Sequence, residues 1–205
     1  LYDHQVEILF KGTGAPMRRL IMKPLHDFLS AHSQAKILEV AAGTGLSATE
    51  VHASFPTHPL TVTALSGPYL KLAREKFDSP LVDFVRAQAE DLPFKDASFD
   101  VLYTVFLFHE LPREVREKAM REFHRVLRPG GLLIVLDSIQ KADVPAYAPV
   151  LERFPKDYHE PFYKDYSQWP LPDAFAKHGF TDVQSVRGLF SKCVWALKDV
   201  TDSRG

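Results

Sequence analysis

Short apolar runs alternate with segments of helical periodicity along most of the chain. Five runs predict β-strands, at 36–41, 60–65, 81–86, 99–108 and 132–137. The segments between them predict helices at 46–55, 68–77 and 113–127. Two further helices are predicted between residues 3 and 30, separated by a turn at 12–14. Because strands that alternate with helices form a parallel sheet covered on both faces, the pattern predicts a doubly wound α/β domain.

The sequence changes character after residue 137. Six of the 15 prolines and four of the seven tyrosines fall between 142 and 172, and we interpret this segment as a lid. Beyond it, a helix at 171–177 ends before Gly179, and strands are predicted at 181–186 and 191–197. We therefore expect a single domain, 1–205, with four parts: a helical cap (1–35), a cofactor-binding core (36–137), the lid (142–172) and a C-terminal helix with strands (173–198).

Composition and charge exclude several classes of protein. A chain of 205 residues that is 45% hydrophobic is long enough to bury a core. The 25 Lys and Arg residues nearly cancel the 26 Asp and Glu residues, so no overall field favours nucleic acid or an anionic membrane. No apolar stretch is long enough to span a bilayer, and the single cysteine, Cys193, fits a reducing compartment. We expect a cytoplasmic protein whose partner is a small molecule.

A glycine-containing turn follows the first predicted strand. The sequence Glu-Val-Ala-Ala-Gly-Thr-Gly at 39–45 lies where a strand turns into a helix, a place where a ligand can approach the main chain. A dinucleotide-binding turn has glycines spaced as G-x-G-x-x-G. Here, small residues fall at 41, 43 and 45, after an acid. This spacing disfavours a nicotinamide-dependent oxidoreductase.

The spacing resembles the first motif of class I S-adenosylmethionine-dependent methyltransferases. Further motifs of that family follow in order: Ala-Glu-Asp-Leu-Pro-Phe (89–94), Ser-Phe-Asp-Val (98–101), Phe-His-Glu-Leu (108–111) and Arg-Val-Leu-Arg-Pro-Gly-Gly (125–131). The chain is most similar to the small-molecule branch related to ubiquinone and menaquinone methyltransferases. The resemblance implies S-adenosylmethionine as cofactor and a Rossmann-like, mostly parallel sheet whose reversed last strand is 191–197.

The resemblance also implies which residues contact the cofactor. The loop with Glu39, Ala41, Gly43 and Gly45 would hold its methionine end, with Ala41 where the family commonly has glycine. The adenine would lie against the turn after the third strand, at Gln88, Ala89 and Glu90. The end of the fourth strand, at Thr104, Val105 and Phe106, would lie near the transferable methyl group. For Val105 and Phe106, packing in the core is an equally good interpretation.

One residue typical of the family is missing. The family usually ends its second strand in an acid that binds both ribose hydroxyls, whereas residues 62–70 contain no acid. Losing two hydrogen bonds to a charged group, worth about 1.5–3 kcal/mol each, would weaken cofactor binding well over tenfold. Either Ser66 partly substitutes, or the cofactor binds poorly, or residues are absent from this chain. The alternative to methyl transfer is therefore a binding or scaffold protein that keeps the fold with weak or no cofactor binding.

Candidates for the chemistry of the acceptor follow the fourth strand and lie in the lid. His109 is the candidate catalytic residue, because histidine can accept a proton near neutral pH; a helix-start or packing role is the alternative. In the lid, Tyr158, His159 and Tyr163 are candidate contacts to a small apolar or aromatic acceptor, although these side chains could also simply attach the loop. Two His-Glu pairs occur, at 109–110 and 159–160, but adjacent side chains seldom converge on one ion, so no metal site is expected.

Overall fold

Seven strands form one sheet in the computed structural model, which describes residues 8, 12–157 and 159–200. The strands are β1 (Ile37–Val40), β2 (Leu60–Ala64), β3 (Val82–Arg86), β4 (Phe99–Val105), β5 (Leu127–Ser138), β6 (Phe180–Gly188) and β7 (Ser191–Lys198). Their order across the sheet is β3-β2-β1-β4-β5-β7-β6. The helix expected between residues 3 and 11 falls, except for residue 8, outside the described residues.

Helices connect and cover the strands. They are α1 (Gly14–Arg18), α2 (Met22–Leu29), α3 (Leu46–Ser54), α4 (Gly67–Arg74), α5 (Arg113–Val126), α6 (Ala148–Asp157), α7 (Tyr163–Tyr166) and α8 (Leu171–Lys177). Short 3₁₀ turns span Arg19–Ile21, Phe108–Glu110 and Pro145–Tyr147. None of the described helices combines the length and the apolar character that crossing a membrane requires.

The strand directions confirm the predicted fold class. Strands β1 to β5 pair in parallel, and β7 pairs antiparallel with both β5 and β6. The chain runs from β1 toward β3 on one side of the sheet, and it continues on the other side with β4 next to β1. The loops after β1 and β4 therefore diverge at the carboxyl edge of the sheet. A crevice at such a reversal of strand order is where open α/β sheets bind their ligands.

A separate apolar layer covers each face of the sheet. One layer contains Leu25 of α2 and Val51 of α3, packed on Ile37 and Tyr103 of the sheet. Helix α5 shows why the other layer forms: its apolar side chains recur at helical spacing and are buried with Phe175 of α8. Both faces of the strands are thus buried, which explains why β1 and residues 132–136 of β5 are almost continuously apolar in sequence.

Two strand boundaries differ by three residues or more from those predicted. Strand β4 ends at Val105 rather than at residue 108, because Phe106 adopts a left-handed backbone (φ 56°) and the carboxylate of Asp137 accepts a hydrogen bond from the Phe108 amide (2.7 Å). Strand β5 begins at Leu127, directly after α5 and five residues before the predicted start at 132. Leu127 pairs with Phe99 of β4, and the register of the two strands shifts between Phe99 and Val101.

Candidate functional site

The turn after β1 has an alternating left-handed backbone. Ala41, Gly43 and Gly45 have φ values of 60°, 56° and 81°. A left-handed backbone is ordinary for glycine but costs an alanine about 1–2 kcal/mol. The surrounding bonds hold Ala41 in this conformation: the amide of the next residue, Ala42, donates to the Thr63 carbonyl on β2 (2.8 Å). Local strain of this kind is typical of ligand-binding loops.

The two glycines of this turn differ in what surrounds them. A Cβ atom at Gly45 would stand 2.8 Å from the Cβ of Ala73, so this glycine is required for packing against α4. A Cβ atom at Gly43 would meet nothing within 4 Å. The main chain at Gly43 therefore borders open space at the carboxyl edge of the sheet, which is the geometry of a cradle for a ligand.

Glu39 lies beneath the turn and is fully buried. Its carboxyl group accepts a hydrogen bond from the Tyr103 hydroxyl of β4 (2.9 Å). Burial raises the pKa of Glu39 to about 8, although the bond from Tyr103 acts in the opposite direction. Glu39 is therefore protonated at neutral pH in the free protein and supports the turn from below.

The end of β2 contains no carboxylate. Leu65 is exposed there, and its carbonyl accepts a hydrogen bond from the Nε atom of Arg86 at the end of β3 (2.9 Å). The Ser66 hydroxyl accepts a hydrogen bond from the Tyr69 amide and so caps α4 (3.4 Å). An arginine side chain thus reaches the edge where the resemblance led us to expect an acid, and the Ser66 hydroxyl is engaged in capping the helix.

The three residues expected at the adenine differ in exposure. Gln88 is exposed and forms an isolated bridge with Asp91, while Glu90 is half-buried. Ala89 is buried and belongs to the apolar layer that contains Leu92. Gln88 and Glu90 therefore have side chains available to a ligand, whereas Ala89 contributes to the core.

The three residues at the end of β4 differ in burial and in what their side chains contact. The Thr104 hydroxyl is fully buried and donates to the Val40 carbonyl (2.8 Å), so it links β4 to β1. Val105 is half-buried and packs against the apolar layer around Ile37. Phe106, with its left-handed backbone, holds its ring 6.4 Å from the ring of His109.

A buried histidine–aspartate pair follows the ends of β4 and β5. His109 is 9% exposed, and its Nδ1 atom lies 2.6 Å from Oδ1 of the fully buried Asp137. Asp137 also accepts hydrogen bonds from the amides of Phe108 (2.7 Å) and Ser138 (2.7 Å). Burial lowers the pKa of His109, but the charge of Asp137 and its hydrogen bond outweigh this and raise the pKa to about 9.

Aromatic rings from the lid segment surround this pair. The rings of Tyr163 and Tyr166 lie 6.2 and 6.3 Å from that of His109. Both hydroxyls donate to main-chain carbonyls, Tyr163 to Ile139 (3.3 Å) and Tyr166 to Ser138 (2.7 Å). Both tyrosines therefore attach the lid to the end of β5 as well as bordering His109.

The other two predicted lid residues are less informative. His159 is exposed and has a left-handed backbone (φ 57°). Tyr158 lies outside the described residues. Of the three candidate acceptor contacts, Tyr163 is therefore the one that the structure brings to His109.

Two acidic residues escaped the sequence analysis as functional candidates. Asp137 was recognised only as the end of a strand, although an acid that closes an otherwise apolar strand is a usable signal. Asp165 fastens the lid to α5 by accepting hydrogen bonds from Arg113 (2.9–3.2 Å) and Arg116. No sequence spacing indicates these contacts, because residues 113 and 165 are brought together only by folding.

Comparison with known proteins gives consistent matches. A family model described as a methyltransferase domain matches residues 37–131. O-methyltransferase rstn1 of Aspergillus nomiae is 31% identical over 185 residues, which cover 82% of this chain and 76% of that protein. Ubiquinone/menaquinone biosynthesis C-methyltransferase UbiE of Bartonella tribocorum is 36% identical over 143 residues, covering 66% of this chain and 53% of that protein. This chain thus spans about half the length of the UbiE protein.

A solved structure shares the fold. The crystal structure of a SAM-dependent methyltransferase from Methanosarcina mazei has a TM-score of 0.66 at 19% identity, and the match covers 86% of this chain and 97% of that one.

The doubly wound sheet, the reversed strand β7 and the left-handed turn after β1 define the Rossmann-like methyltransferase class. Within that class, the sequence matches are specific enough to identify a family. This chain belongs to the S-adenosylmethionine-dependent methyltransferase family and is similar to its ubiquinone and menaquinone branch. The cofactor of the family is S-adenosylmethionine.

The residues present fit this cofactor at the glycine turn. The open space at Gly43 accommodates a group against the main chain, and a Cβ atom would fill it. At the end of β2, where the resemblance predicts the ribose, Ser66 caps a helix and the Arg86 side chain donates to the Leu65 carbonyl, so no carboxylate is present there.

Proposed function

We propose that this protein transfers a methyl group from S-adenosylmethionine to a small apolar or aromatic acceptor. The observation that carries the proposal is the position of the open turn at Gly43 at the reversal of strand order, where the ends of β1 and β4 meet. Similarity to a ubiquinone/menaquinone biosynthesis C-methyltransferase and to an O-methyltransferase supports the acceptor class. When bound, the cofactor supplies an electrophilic methyl group.

Residues of this chain would bind the cofactor along the carboxyl edge of the sheet. We assign the methionine end to the turn that runs from Ala41 to Gly45, above Glu39. The adenine would lie beside Gln88, Ala89 and Glu90, and the ribose beside Ser66. Of the fourth-strand residues, Thr104 would hold the edge of the sheet in place through its bond to β1, while Phe106 would border the acceptor.

His109 is the proposed catalytic residue. Asp137 holds its Nδ1 atom, so that Nε2 is left to face the acceptor, and Asp137 acts as a positioning residue. Because methyl transfer depends mainly on alignment of the two reactants, holding this ring in one orientation contributes directly to the reaction. Rings of Phe106, Tyr163 and Tyr166 would exclude water and favour a planar acceptor. His159, which is exposed in the lid, would contact the acceptor from there.

Gly43→Val provides the test of the cofactor site. Valine would fill the cradle and resist the left-handed backbone, so we expect S-adenosylhomocysteine affinity to fall at least 100-fold. The measurement is calorimetric titration with S-adenosylhomocysteine, together with a melting curve of the same sample. Gly12→Val is the matched control, because Gly12 also has a positive φ (78°) and open space around it but precedes α1, at a distance in sequence from the turn.

The outcomes separate the possible functions. A folded Gly43→Val protein that binds as tightly as the parent would refute the cofactor assignment. A parent protein that shows no binding of S-adenosylmethionine or S-adenosylhomocysteine at millimolar concentration would favour the scaffold alternative. His109→Ala should leave the affinity for S-adenosylhomocysteine largely intact and lower turnover where a proton must be removed from the acceptor. The loss should grow as the pH rises toward 9, because the pKa of His109 is about 9 and only the deprotonated ring can accept a proton.

A further inference from the structure

Three metal-ligating side chains from separate parts of the chain meet at the edge of the site. One ring nitrogen of His109 and one carboxylate oxygen each of Glu110 and Glu160 lie within 4.8 Å of one another. His109 and Glu110 belong to the 3₁₀ turn after β4, whereas Glu160 lies between α6 and α7. The two members of a His-Glu pair are adjacent in sequence, and we expect such neighbours not to bind one ion together. Here the pair at 159–160 contributes Glu160 to the pair formed by His109 and Glu110.

The fold holds His109 with its Nε2 atom available. The ring is 9% exposed, and Nδ1 is bonded to the buried Asp137. Among the described residues, Nε2 has no hydrogen-bond partner, and its nearest acidic oxygen is that of Glu110, at 3.9 Å. A buried imidazole whose other nitrogen is bonded to a carboxylate is the recurring arrangement of metal-binding histidines.

The backbone places Glu160 beside this ring. The Glu160 amide donates to the Pro155 carbonyl (3.1 Å), and the Glu160 carbonyl accepts from the Tyr163 amide (3.3 Å). The preceding residue, His159, has the left-handed backbone that turns the chain at this point. Glu160 is half-buried, so its carboxylate is held near the protein and not extended into solvent.

The local charge favours a cation. Three carboxylates, those of Glu110, Asp137 and Glu160, surround one imidazole. In the part of the chain that the structure describes, neither glutamate forms an ion pair with a lysine or arginine. Near neutral pH the imidazole holds a proton, because the pKa of His109 is about 9, and its single charge balances only part of this carboxylate charge. A divalent cation that displaces this proton supplies twice the charge to the same carboxylates.

We propose that His109, Glu110 and Glu160 bind one divalent transition-metal ion through one nitrogen and two carboxylate oxygens. Mixed imidazole and carboxylate ligands suit ions such as Mn²⁺ and Zn²⁺, and three protein ligands leave coordination positions open. The proposal concerns binding and stands without the proposed methyl transfer. Where methyl transfer does occur, the bound ion would present positive charge to an acceptor oxygen at the position of Nε2.

The test is titration of the full chain, free of cofactor, with Mn²⁺ by calorimetry and by electron paramagnetic resonance. We expect one equivalent to bind, with affinity at least tenfold weaker in Glu160→Gln and in Glu110→Gln. Asp137→Asn should weaken binding 10- to 100-fold, because the ring loses its second-shell partner. Glu114→Gln is the matched control, since Glu114 is an exposed glutamate at the start of α5, outside the cluster. The Mn²⁺ affinity of this variant should match that of the parent within twofold.

The proposal is overturned if neither Mn²⁺ nor Zn²⁺ saturates the parent at millimolar concentration, or if Glu160→Gln binds as tightly as the parent. Near-ultraviolet circular dichroism of each variant shows whether a loss of affinity reflects loss of fold, and a variant that binds weakly while retaining the parent spectrum supports the site. Titration of the same parent sample with S-adenosylhomocysteine keeps the two proposals apart. Metal binding without cofactor binding would refute only the proposed function, and the reverse result only the metal site.

Discussion

At the scale of single residues, burial decides the chemical state of the groups beneath the glycine turn. Glu39 is a carboxyl group inside an apolar layer with one hydrogen bond, from Tyr103. A buried carboxylate is costly unless it is paired, so the group retains its proton instead. The sequence shows Glu39 only as an acid just before a glycine turn, and it does not reveal that the side chain is buried.

Replacing Glu39 with glutamine should therefore change how stability depends on pH. The pKa of Glu39 is about 8 in the folded protein and 4.5 when the side chain is unperturbed. Between these values the folded state keeps a proton that the unfolded state releases, so this residue lowers the free energy of unfolding as pH rises from about 4.5 to 8. Glu39→Gln removes this dependence, and at pH 8.5 the variant should be more stable than the parent by at least about 1 kcal/mol.

Urea unfolding of the cofactor-free protein at pH 5 and pH 8.5 measures this effect. Glu114→Gln, which alters an exposed carboxyl group, should leave the pH dependence of the parent unchanged. An equal loss of stability between the two pH values in the parent and in Glu39→Gln would contradict the assignment of a buried proton to Glu39.

At the scale of elements, the lid is fastened to α5 by a few polar contacts over an aromatic cluster. Arg116 of α5 is fully buried, lies 5.0 Å from the ring centre of Trp169, and forms an ion pair with Asp165 of α7. Two of its nitrogens, Nε and Nη1, have no hydrogen-bond partner among the described residues. Burial lowers the pKa of Arg116, with Asp165 acting in the opposite direction. The attachment of α7 thus depends strongly on the single carboxylate of Asp165.

Asp165→Asn should loosen the lid. The substitution leaves the buried Arg116 without its counter-charge, which we expect to cost about 2 kcal/mol, less than for a fully buried pair because Asp165 is itself half-exposed. Hydrogen exchange followed by mass spectrometry should show faster exchange across 142–170 in the variant than in the parent, with exchange in the strands unchanged. Asp173→Asn, at an exposed position in the first turn of α8, provides the control. Unchanged exchange across 142–170 in Asp165→Asn would show that aromatic packing alone holds the lid.

At the scale of the whole molecule, both apolar layers share the same strands. Leu133 and Val135 of β5 face the layer that contains the lid tyrosines, whereas Ile134 and Leu136 face the layer of α2 and α3. Unfolding either layer exposes the other side of the same strand. This coupling favours unfolding as one unit, which is what the predicted single domain requires.

The two tryptophans allow this expectation to be measured. Trp169 lies in the lid segment beside α5, and Trp195 lies in β7 opposite Ile134. In Trp195→Phe the remaining tryptophan reports on the lid, and in Trp169→Phe it reports on the sheet. For each variant, the midpoint of the urea transition followed by fluorescence should equal the midpoint followed by circular dichroism. Fluorescence transitions that separate from the circular dichroism transition of the same variant would indicate that the lid and the sheet unfold independently.

The sequence by itself determined the order of strands and helices and the position of the glycine turn. Apolar periodicity depends on neighbours within a few residues, and both strand ends and turns are encoded at that range. The spacing at 41, 43 and 45, with the later motifs, was sufficient to indicate the methyltransferase class. Strand β4 was predicted too long because the bond from the Phe108 amide to Asp137, which closes its end, joins residues 29 positions apart.

Only the tertiary structure decided which side chains form the site. It separated Gly43, beside open space, from Gly45, packed on Ala73, although the two look equivalent in sequence. It also brought Asp137 to His109, because the carboxyl ends of parallel strands meet at one edge, and Glu160 to the same ring through the packing of the lid. Contacts between distant residues arise from how sheet and lid pack as a whole, and no local pattern in the chain records them.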